Sequence, residues 1–169
     1  MPDLYVSWSE YYQKIEQLAT QIYQSGWEFN QIVCLARGGL RVGDILSRIY
    51  DQPLAILATS SYSTAPGKQE RGNLTFSRHL TMTTESLGSH ILLVDDLVDS
   101  GVTLQKTIPW LKEYSDCPIE EIRTAVIWYK ACSTIAPNYY VDYLSNNPWI
   151  HQPFEQYEYM KPAELGHRA

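Results

Sequence analysis

The sequence predicts an α/β fold, a parallel sheet flanked by helices, and three observations indicate this class. Short apolar segments alternate with segments of helical periodicity, which is the pattern of consecutive βαβ units. Residues 91–94 (Ile-Leu-Leu-Val) are apolar without interruption, as expected of a strand that helices cover on both faces. The length of 169 residues suits a single domain, 1–169, with one hydrophobic core.

Helices and strands are predicted in alternation along the chain. The first helix covers residues 7–25, begins at Ser7 or Ser9 and ends at Gly26. Its apolar face is predicted from residues at helical spacing, Tyr12, Ile15, Leu18, Ala19 and Ile22. The other predicted helices cover 40–50 and 102–114, the latter interrupted or bent near Pro109, and the predicted strands cover 32–36, 54–58, 91–94 and 122–129.

Charge and composition disfavour several classes of function. The net charge of −6 disfavours a nucleic-acid-binding protein, because the phosphates of nucleic acid favour basic surfaces. The three cysteines show no CxxC spacing and predict reduced thiols. The N-terminus lacks a signal-peptide pattern, and no apolar segment approaches the ~20 residues that a membrane span needs. We therefore expect a cytoplasmic protein that does not bind membranes.

Two segments are predicted to be irregular. Residues 61–77 are polar and rich in turn-forming residues, and long loops of this kind are often functional, although a surface loop without function is the alternative. The tail from Asn146 onward is rich in aromatic residues and prolines, which predicts an irregular flap.

The residues with the clearest chemistry follow the central strand, in the segment 91–104. Asp95 and Asp96 come directly after the strand, and Asp99 lies three residues further along. Ligands of open α/β sheets bind beyond the carboxyl ends of the strands. Two adjacent carboxylates at this place can accept hydrogen bonds from a pair of vicinal hydroxyls or hold magnesium through its waters.

The turn at residues 100–103 is predicted to hold a phosphate. Gly101 permits a positive φ, the amides at the helix start favour an anion, and the Ser100 and Thr103 hydroxyls add donors. Because three carboxylates would repel a phosphate, they must face a metal or another part of the ligand. A ribose phosphate with magnesium at its diol end meets both demands, and a capped surface turn without function is the alternative.

The pattern of an apolar strand, two acids, two residues and Asp-Ser-Gly-x-Thr resembles the phosphoribosyl pyrophosphate (PRPP) signature of type I phosphoribosyltransferases. The resemblance extends along nearly the whole chain and is nearest to the bacterial xanthine-guanine and hypoxanthine enzymes. It implies the fold of that family, with a core of about 27–142 and a small hood of about 143–169, to which the N-terminal segment is a candidate addition.

The resemblance implies which residues bind PRPP. Arg37, Gly38 and Gly39 match the loop that contacts the pyrophosphate. Asp95 and Asp96 match the acids that hold the ribose hydroxyls, and both are the expected ligands of the Mg²⁺ cofactor. The loop for the 5′-phosphate is matched by Asp99, Ser100, Gly101, Val102 and Thr103.

The resemblance also implies which residues bind the base. Asp99 matches the acid that contacts purine N7, which makes it the candidate general base. Lys130 matches the lysine that donates to the 6-oxo oxygen and would reject adenine, and Trp149 or Ile150 would pack on the purine face. The implied reaction belongs to purine salvage: PRPP and guanine, xanthine or hypoxanthine give a nucleoside monophosphate and pyrophosphate.

Two departures from the family pattern leave the preferred base open. His151 stands where the xanthine-guanine enzyme has an acid near the 2-position of the base, and Phe154 replaces a tryptophan. Lys68 and Arg71 lie in the loop that matches the family's mobile hood loop, but this loop aligns poorly, so no contact is predicted for either.

The resemblance implies a homodimer or homotetramer whose partners are PRPP and a purine base, with no nucleic acid and no membrane. One alternative is a regulatory protein of the same fold that senses PRPP or a nucleotide. The net charge of −6 and the lack of an added basic domain disfavour a regulator that binds nucleic acid. The other alternative is a phosphoribosyltransferase for a different acceptor.

Overall fold

The computed structural model describes residues 3–61 and 73–166 of the chain. The helices are α1 (Trp8–Gln24), α2 (Leu40–Tyr50), α3 (Val102–Tyr114) and α4 (Pro162–Leu165), with a 3-10 helix at Glu155–Glu158. The strands are β1 (Leu4–Tyr5), β2 (Gln31–Ala36), β3 (Leu54–Ser61), β4 (Leu74–Phe76), β5 (His90–Val94), β6 (Leu97–Val98), β7 (Glu121–Lys130), β8 (Tyr139–Leu144) and β9 (Ile150–His151). Among the described residues, no helix is long and apolar enough to cross a bilayer.

The central sheet brings the ends of its parallel strands to one edge. Its strand order is β4-β3-β2-β5-β7-β6, and β8 pairs with β7 beyond this path. β2 pairs in parallel with β5, with Cys34 opposite Val94, and β5 pairs in parallel with β7. The segments that follow these three strands, 37–39, 95–103 and 131–134, therefore leave the sheet at its carboxyl edge. This arrangement confirms the predicted α/β class.

Helices cover both faces of the sheet because its central strands are apolar on both faces. Leu92 belongs to a buried cluster with residues of α1 and α2, whereas its neighbour Leu93 belongs to a cluster with residues of α3. Consecutive strand residues point to opposite faces, so this division follows from the strand geometry. Each fully buried leucine contributes about 1.5–3 kcal/mol relative to an exposed one, which favours a well-packed sheet beneath its carboxyl edge.

The N-terminal and C-terminal segments meet in a second, two-stranded sheet. β1 pairs in parallel with β9, with Leu4 opposite Ile150 and Tyr5 opposite His151. The backbone N–H of Leu4 also donates to the Trp149 carbonyl at 2.8 Å. The division of the chain into a core and a hood stays a prediction, with these two segments as the candidate hood.

α1 begins where it was predicted to begin, but its buried face differs from the predicted apolar face. Ser7 caps α1: its hydroxyl accepts from the Glu10 N–H at 3.2 Å, and the Glu10 carboxylate accepts from the Ser7 N–H at 2.8 Å. The prediction of Tyr12 in the apolar face was wrong, because Tyr12 is 46% exposed and Tyr11 is fully buried. Tyr11 lies four residues before Ile15 and therefore on the same side of the helix.

The structure differs from the sequence analysis in three further places: β4, β8 and α3. The segment predicted as a loop at 61–77 contains β4, which pairs antiparallel with β3. The sequence did not indicate β8, which pairs with β7 in parallel. α3 continues through Pro109 without interruption. Proline has no N–H to donate to the Gln105 carbonyl, four residues earlier, but Gln105 and Pro109 are both exposed, so that carbonyl can bond to water instead.

Candidate active site

The loop after β2 packs tightly against the two aspartates that follow β5. A Cβ atom on Gly38 would lie 2.5 Å from Asp96 Oδ1, and one on Gly39 would lie 2.7 Å from the Val94 carbonyl oxygen. Backbone atoms leave no room for a side chain at Gly39, and a side chain at Gly38 would displace the Asp96 carboxylate. The loop backbone therefore approaches Asp96 closely. The Ala36–Arg37 peptide bond is cis. The Arg37 side chain is 87% exposed, and its Nη2 lies 3.7 Å from Glu158 Oε1.

Asp95 and Asp96 lie at the carboxyl end of β5 with different surroundings. Asp95 Oδ1 accepts from the Asp96 N–H at 2.9 Å. Burial, and then the neighbouring charge of Asp96, raise the pKa of Asp95 well above its usual value. Asp96 Oδ2 accepts from Gln152 Nε2 at 2.6 Å. Sequence analysis missed Gln152, which lies 56 residues from Asp96 along the chain, and no signal in the sequence pointed to it.

The turn before α3 has the geometry of an anion site. Gly101 has φ +85°, and a Cβ atom there would lie 2.5 Å from Ser133 Oγ. The N-cap residue of α3 is Gly101, which has no side chain to accept from the first-turn amides. The Val102 N–H makes only a long contact of 3.5 Å with Ser100 Oγ, so the start of the helix can still donate to an anion. The Ser100 carbonyl accepts from Thr134 N–H at 3.0 Å and from Thr134 Oγ1 at 3.1 Å, which fixes the turn to the segment after β7.

Asp99 is flanked by two side chains from the end of β7. Lys130 is only 6% exposed, and its ammonium nitrogen lies 3.6 Å from Asp99 Oδ2. The Cys132 thiol donates to Asp99 Oδ1 at 3.3 Å. Burial, and then the hydrogen bond to Asp99 and its charge, raise the pKa of the Cys132 thiol, which keeps the proton on sulfur for this contact. Cys132 is a second residue that sequence analysis missed.

The expected base-binding residues differ in their availability. The Trp149 side chain is 63% exposed, whereas Ile150 is 4% exposed and belongs to the core. The His151 ring stacks on Tyr5 at 4.3 Å, and its Nε2 lies 2.9 Å from Asp3 Oδ2. Of the two candidates for contact with the purine face, Trp149 is therefore the one whose side chain is free to make it.

A cavity of about 390 Å³ lies between the loop after β2 and the 3-10 helix. Its volume falls within the range of small-molecule sites. Both guanidinium and carboxylate groups line it: the residues are Arg37, Gly38, Arg41, Asp96, Gln152, Phe154, Glu155, Tyr157 and Glu158. The Arg41 guanidinium lies 4.3 Å from the Phe154 ring centroid, which fixes the cation on one wall.

The donor set at the end of β5 fits a magnesium ion that shares its ligands with a substrate. The described residues contain no group of three or more histidine, cysteine or acidic side chains that could hold a metal. Magnesium is usually held by one or two carboxylates together with substrate phosphates and water, and Asp95 and Asp96 supply such a pair. Two positions of the expected hood loop, Lys68 and Arg71, lie outside the described residues.

Comparisons with known proteins agree on one family. Residues 7–158 match the profile of the phosphoribosyl transferase domain. The chain is 26% identical over 162 residues to the xanthine-guanine phosphoribosyltransferase of Idiomarina loihiensis, covering 95% of this chain and 92% of that protein. A xanthine-guanine phosphoribosyltransferase of Nitratidesulfovibrio vulgaris is 26% identical over 159 residues, covering 93% and 88% of the two chains.

Solved structures show the same similarity. The purine phosphoribosyltransferase of Pyrococcus horikoshii superposes with a TM-score of 0.73 at 25% identity, covering 91% of this chain and 94% of that one. The fold is also that of the Helicobacter pylori xanthine-guanine-hypoxanthine phosphoribosyltransferase, with a TM-score of 0.73, 20% identity and coverage of 94% and 98%. The chain therefore belongs to the phosphoribosyltransferase family and is an enzyme with the type I fold of that family.

Proposed function

We propose that the protein is a purine phosphoribosyltransferase that transfers the 5-phosphoribosyl group of PRPP to a 6-oxopurine: guanine, xanthine or hypoxanthine. The observation that carries this proposal is the buried Lys130 beside Asp99 at the carboxyl edge of the sheet, 3.6 Å apart. The substrates in the names of the similar proteins, xanthine, guanine and purine, support the same class of acceptor.

Lys130 supplies the discrimination at the 6-position. Lysine is rarely buried without a partner, and the Asp99 carboxylate, 3.6 Å away, is the ion-pair partner of Lys130. The ammonium carries three N–H donors, and one of them suits the 6-oxo oxygen of guanine, xanthine or hypoxanthine. The 6-amino group of adenine is itself a donor, so adenine would face an unpaired ammonium and bind poorly.

Asp99 is the general base that accepts a proton from the purine. The lone pair of purine N9 forms the new bond to the anomeric carbon of the ribose, and the bond from that carbon to the pyrophosphate oxygen breaks with its electrons on the pyrophosphate. The purine must lose a proton in this step, and Asp99 accepts it from N7. Lys130 and Cys132 hold the Asp99 carboxylate from two sides and so orient it toward the base.

The other residues at this edge bind the phosphoribosyl donor. The start of α3, with Ser100 and Thr103, holds the 5′-phosphate. Arg37 and the Gly38 amide hold the pyrophosphate, and Gly39, whose N–H donates to the Leu35 carbonyl at 2.8 Å, lets the loop come close to Asp95. Asp95 and Asp96 accept from the ribose hydroxyls and hold the cofactor. A magnesium ion bound by these two residues would supply positive charge that stabilises the leaving pyrophosphate. The exposed Trp149 packs on the purine face.

The test is a spectrophotometric assay with magnesium, PRPP and each of guanine, xanthine, hypoxanthine and adenine. Wild-type protein should turn over one or more 6-oxopurines, and Asp99→Asn should lower kcat roughly 100-fold, because it cannot accept the N7 proton. Asp116→Asn, an exposed aspartate in the turn before β7, is the matched control and should be as active as wild type.

Two negative results would contradict different parts of the proposal. Absence of turnover with every base, together with intact PRPP binding in calorimetry, would contradict the proposed acceptor and favour a PRPP sensor or another acceptor. Equal activity of Asp99→Asn and wild type would remove Asp99 from the mechanism.

A further inference from the structure

Gln152 makes a direct contact with one of the two aspartates at the end of β5. Its side-chain Nε2 donates to Asp96 Oδ2 at 2.6 Å, and the residue is only 7% exposed. A carboxylate only accepts, so the amide nitrogen must face Asp96 and the amide oxygen must face away. The other carboxylate oxygen, Asp96 Oδ1, is the atom nearest the place of a Cβ on Gly38, at 2.5 Å. Gln152 therefore holds one oxygen and leaves the second toward the pyrophosphate loop.

The amide oxygen of Gln152 is buried without a hydrogen-bond partner among the described residues. Burying an unpaired carbonyl costs about 1–3 kcal/mol, so this side chain is not the most stable choice for its position. Natural proteins keep few such groups, and each one calls for an explanation other than stability.

The described structure contains two other buried side-chain polar atoms without a hydrogen-bond partner. They are the Tyr11 hydroxyl and the indole nitrogen of Trp128. The Tyr11 and Trp128 rings lie 6.2 Å apart, and the Trp128 backbone N–H donates to the Asp96 carbonyl at 3.1 Å. Burial, and then the charge of Asp96, raise the pKa of Tyr11. Both residues therefore adjoin Asp96, since the Asp96 charge acts on Tyr11 and the Asp96 backbone carbonyl accepts from Trp128.

Gln152 also belongs to the segment that carries the proposed purine contact. It directly follows β9 and lies three residues after Trp149, and it lines the 390 Å³ cavity together with Gly38 and Asp96. The Gln152 side chain therefore links the segment of the proposed purine contact, at Trp149, to Asp96, the proposed ligand of the ribose hydroxyls.

We propose that Gln152 is a positioning residue that fixes the orientation of the Asp96 carboxylate for magnesium-bound PRPP. This inference rests on the proposed function in one respect, the binding of PRPP at Asp95 and Asp96. A purely structural role, in which Gln152 only fastens the C-terminal segment to the core, is the competing explanation.

The two explanations differ for a variant that keeps shape and removes the hydrogen bond. Gln152→Met has similar length and volume, loses the donor to Asp96 and also removes the unpaired buried oxygen. Gln152→Glu keeps the shape and places a second carboxylate against Asp96. The controls are Gln156→Met and Gln156→Glu, because Gln156 is an exposed glutamine of the same segment whose amide donates to the Pro153 carbonyl at 2.9 Å.

The measurements are the affinity for PRPP with magnesium by calorimetry, the KM for the purine, and Tm. If Gln152 positions Asp96, both Gln152 variants should bind PRPP with magnesium about tenfold or more weakly, as for other residues that orient metal-binding carboxylates. The KM for the purine should not change, and the Tm of Gln152→Met should equal or exceed that of wild type, since an unpaired buried oxygen is removed. The Gln156 variants should match wild type in PRPP affinity.

Wild-type PRPP affinity in Gln152→Met would overturn the inference. A lower Tm with parallel losses for PRPP and purine would assign Gln152 a structural role and overturn it as well. Failure of the proposed function gives a different result: wild-type protein that does not bind PRPP with magnesium removes both proposals. Wild-type protein that binds PRPP but turns over no 6-oxopurine removes only the acceptor assignment and leaves the calorimetric test of Gln152 intact.

Discussion

At the scale of single residues, the site is defined by pairs of groups that restrain each other. Lys130 and Cys132 approach the two oxygens of Asp99 at 3.6 and 3.3 Å, and Gln152 holds Asp96. The sequence motif made Asp99 and Lys130 candidates, because each matches a family position. It could not identify Cys132 or Gln152, because their importance comes from contacts made after the chain folds.

The contact between Cys132 and Asp99 predicts a change in thiol reactivity. The charge of Asp99 contributes to the raised pKa of the Cys132 thiol, so at a given pH less reactive thiolate is present. Asp99→Asn removes that charge, lowers the pKa of Cys132 and should speed its alkylation by iodoacetamide at pH 8. Mass spectrometry of the modified peptides measures the rate, and the exposed Cys117 of the same chain is the internal reference. An unchanged Cys132 rate in Asp99→Asn would show that the two groups are not in contact.

At the scale of elements, the start of α3 depends on a backbone conformation that a side chain disfavours. Gly101 has φ +85° and lies where a Cβ would contact Ser133 Oγ at 2.5 Å. Gly26, after α1, has φ +69°, and no atom lies within 4 Å of the place that a Cβ would take there. The two glycines therefore share the backbone requirement and differ in the space around them.

This difference predicts a matched pair of substitutions. Gly101→Ala and Gly26→Ala should both lose about 1–2 kcal/mol in the free energy of unfolding from the left-handed backbone, measured by urea denaturation. Gly101→Ala should lose more stability, because its Cβ would contact Ser133. It should also weaken PRPP binding, because the turn that we propose holds the 5′-phosphate must move. Equal PRPP affinities in the two variants would argue against a phosphate site at this turn.

Strands and helices were predictable to different degrees. The apolar strands β2, β5 and β7 and the helix α2 were predicted because burial on two faces, or on one helical face, leaves a clear pattern. β8 (Tyr-Tyr-Val-Asp-Tyr-Leu) mixes polar and aromatic residues without a period of two, and β1 and β9 have two residues each, too few for any periodicity. These strands exist because of the partners that the fold provides, which a single sequence does not show.

At the scale of the whole molecule, the parallel sheet explains how distant sequence segments form one site. Residues 37–39, 95–103 and 131–134 follow three adjacent strands, so the carboxyl edge collects them, as the rule for open α/β sheets predicts from the sequence. The position of the 149–155 segment was not predictable from this rule, since it depends on the pairing of β1 with β9 and on Gln152. The homo-oligomeric state, the cytoplasmic location and the magnesium cofactor stay predictions.

The central claim, a phosphoribosyltransferase that acts on a 6-oxopurine, is tested most directly by the ratio of kcat/KM for the best 6-oxopurine to kcat/KM for adenine. The ratio is compared between wild type and Lys130→Met, which keeps the buried aliphatic stem and removes the ammonium, with Tm as the control for folding. We expect a wild-type ratio above ~100 and a decrease of tenfold or more in Lys130→Met, because the donor to the 6-oxo oxygen is lost. A wild-type protein that uses adenine equally well, or a ratio that Lys130→Met leaves unchanged, would contradict the claim.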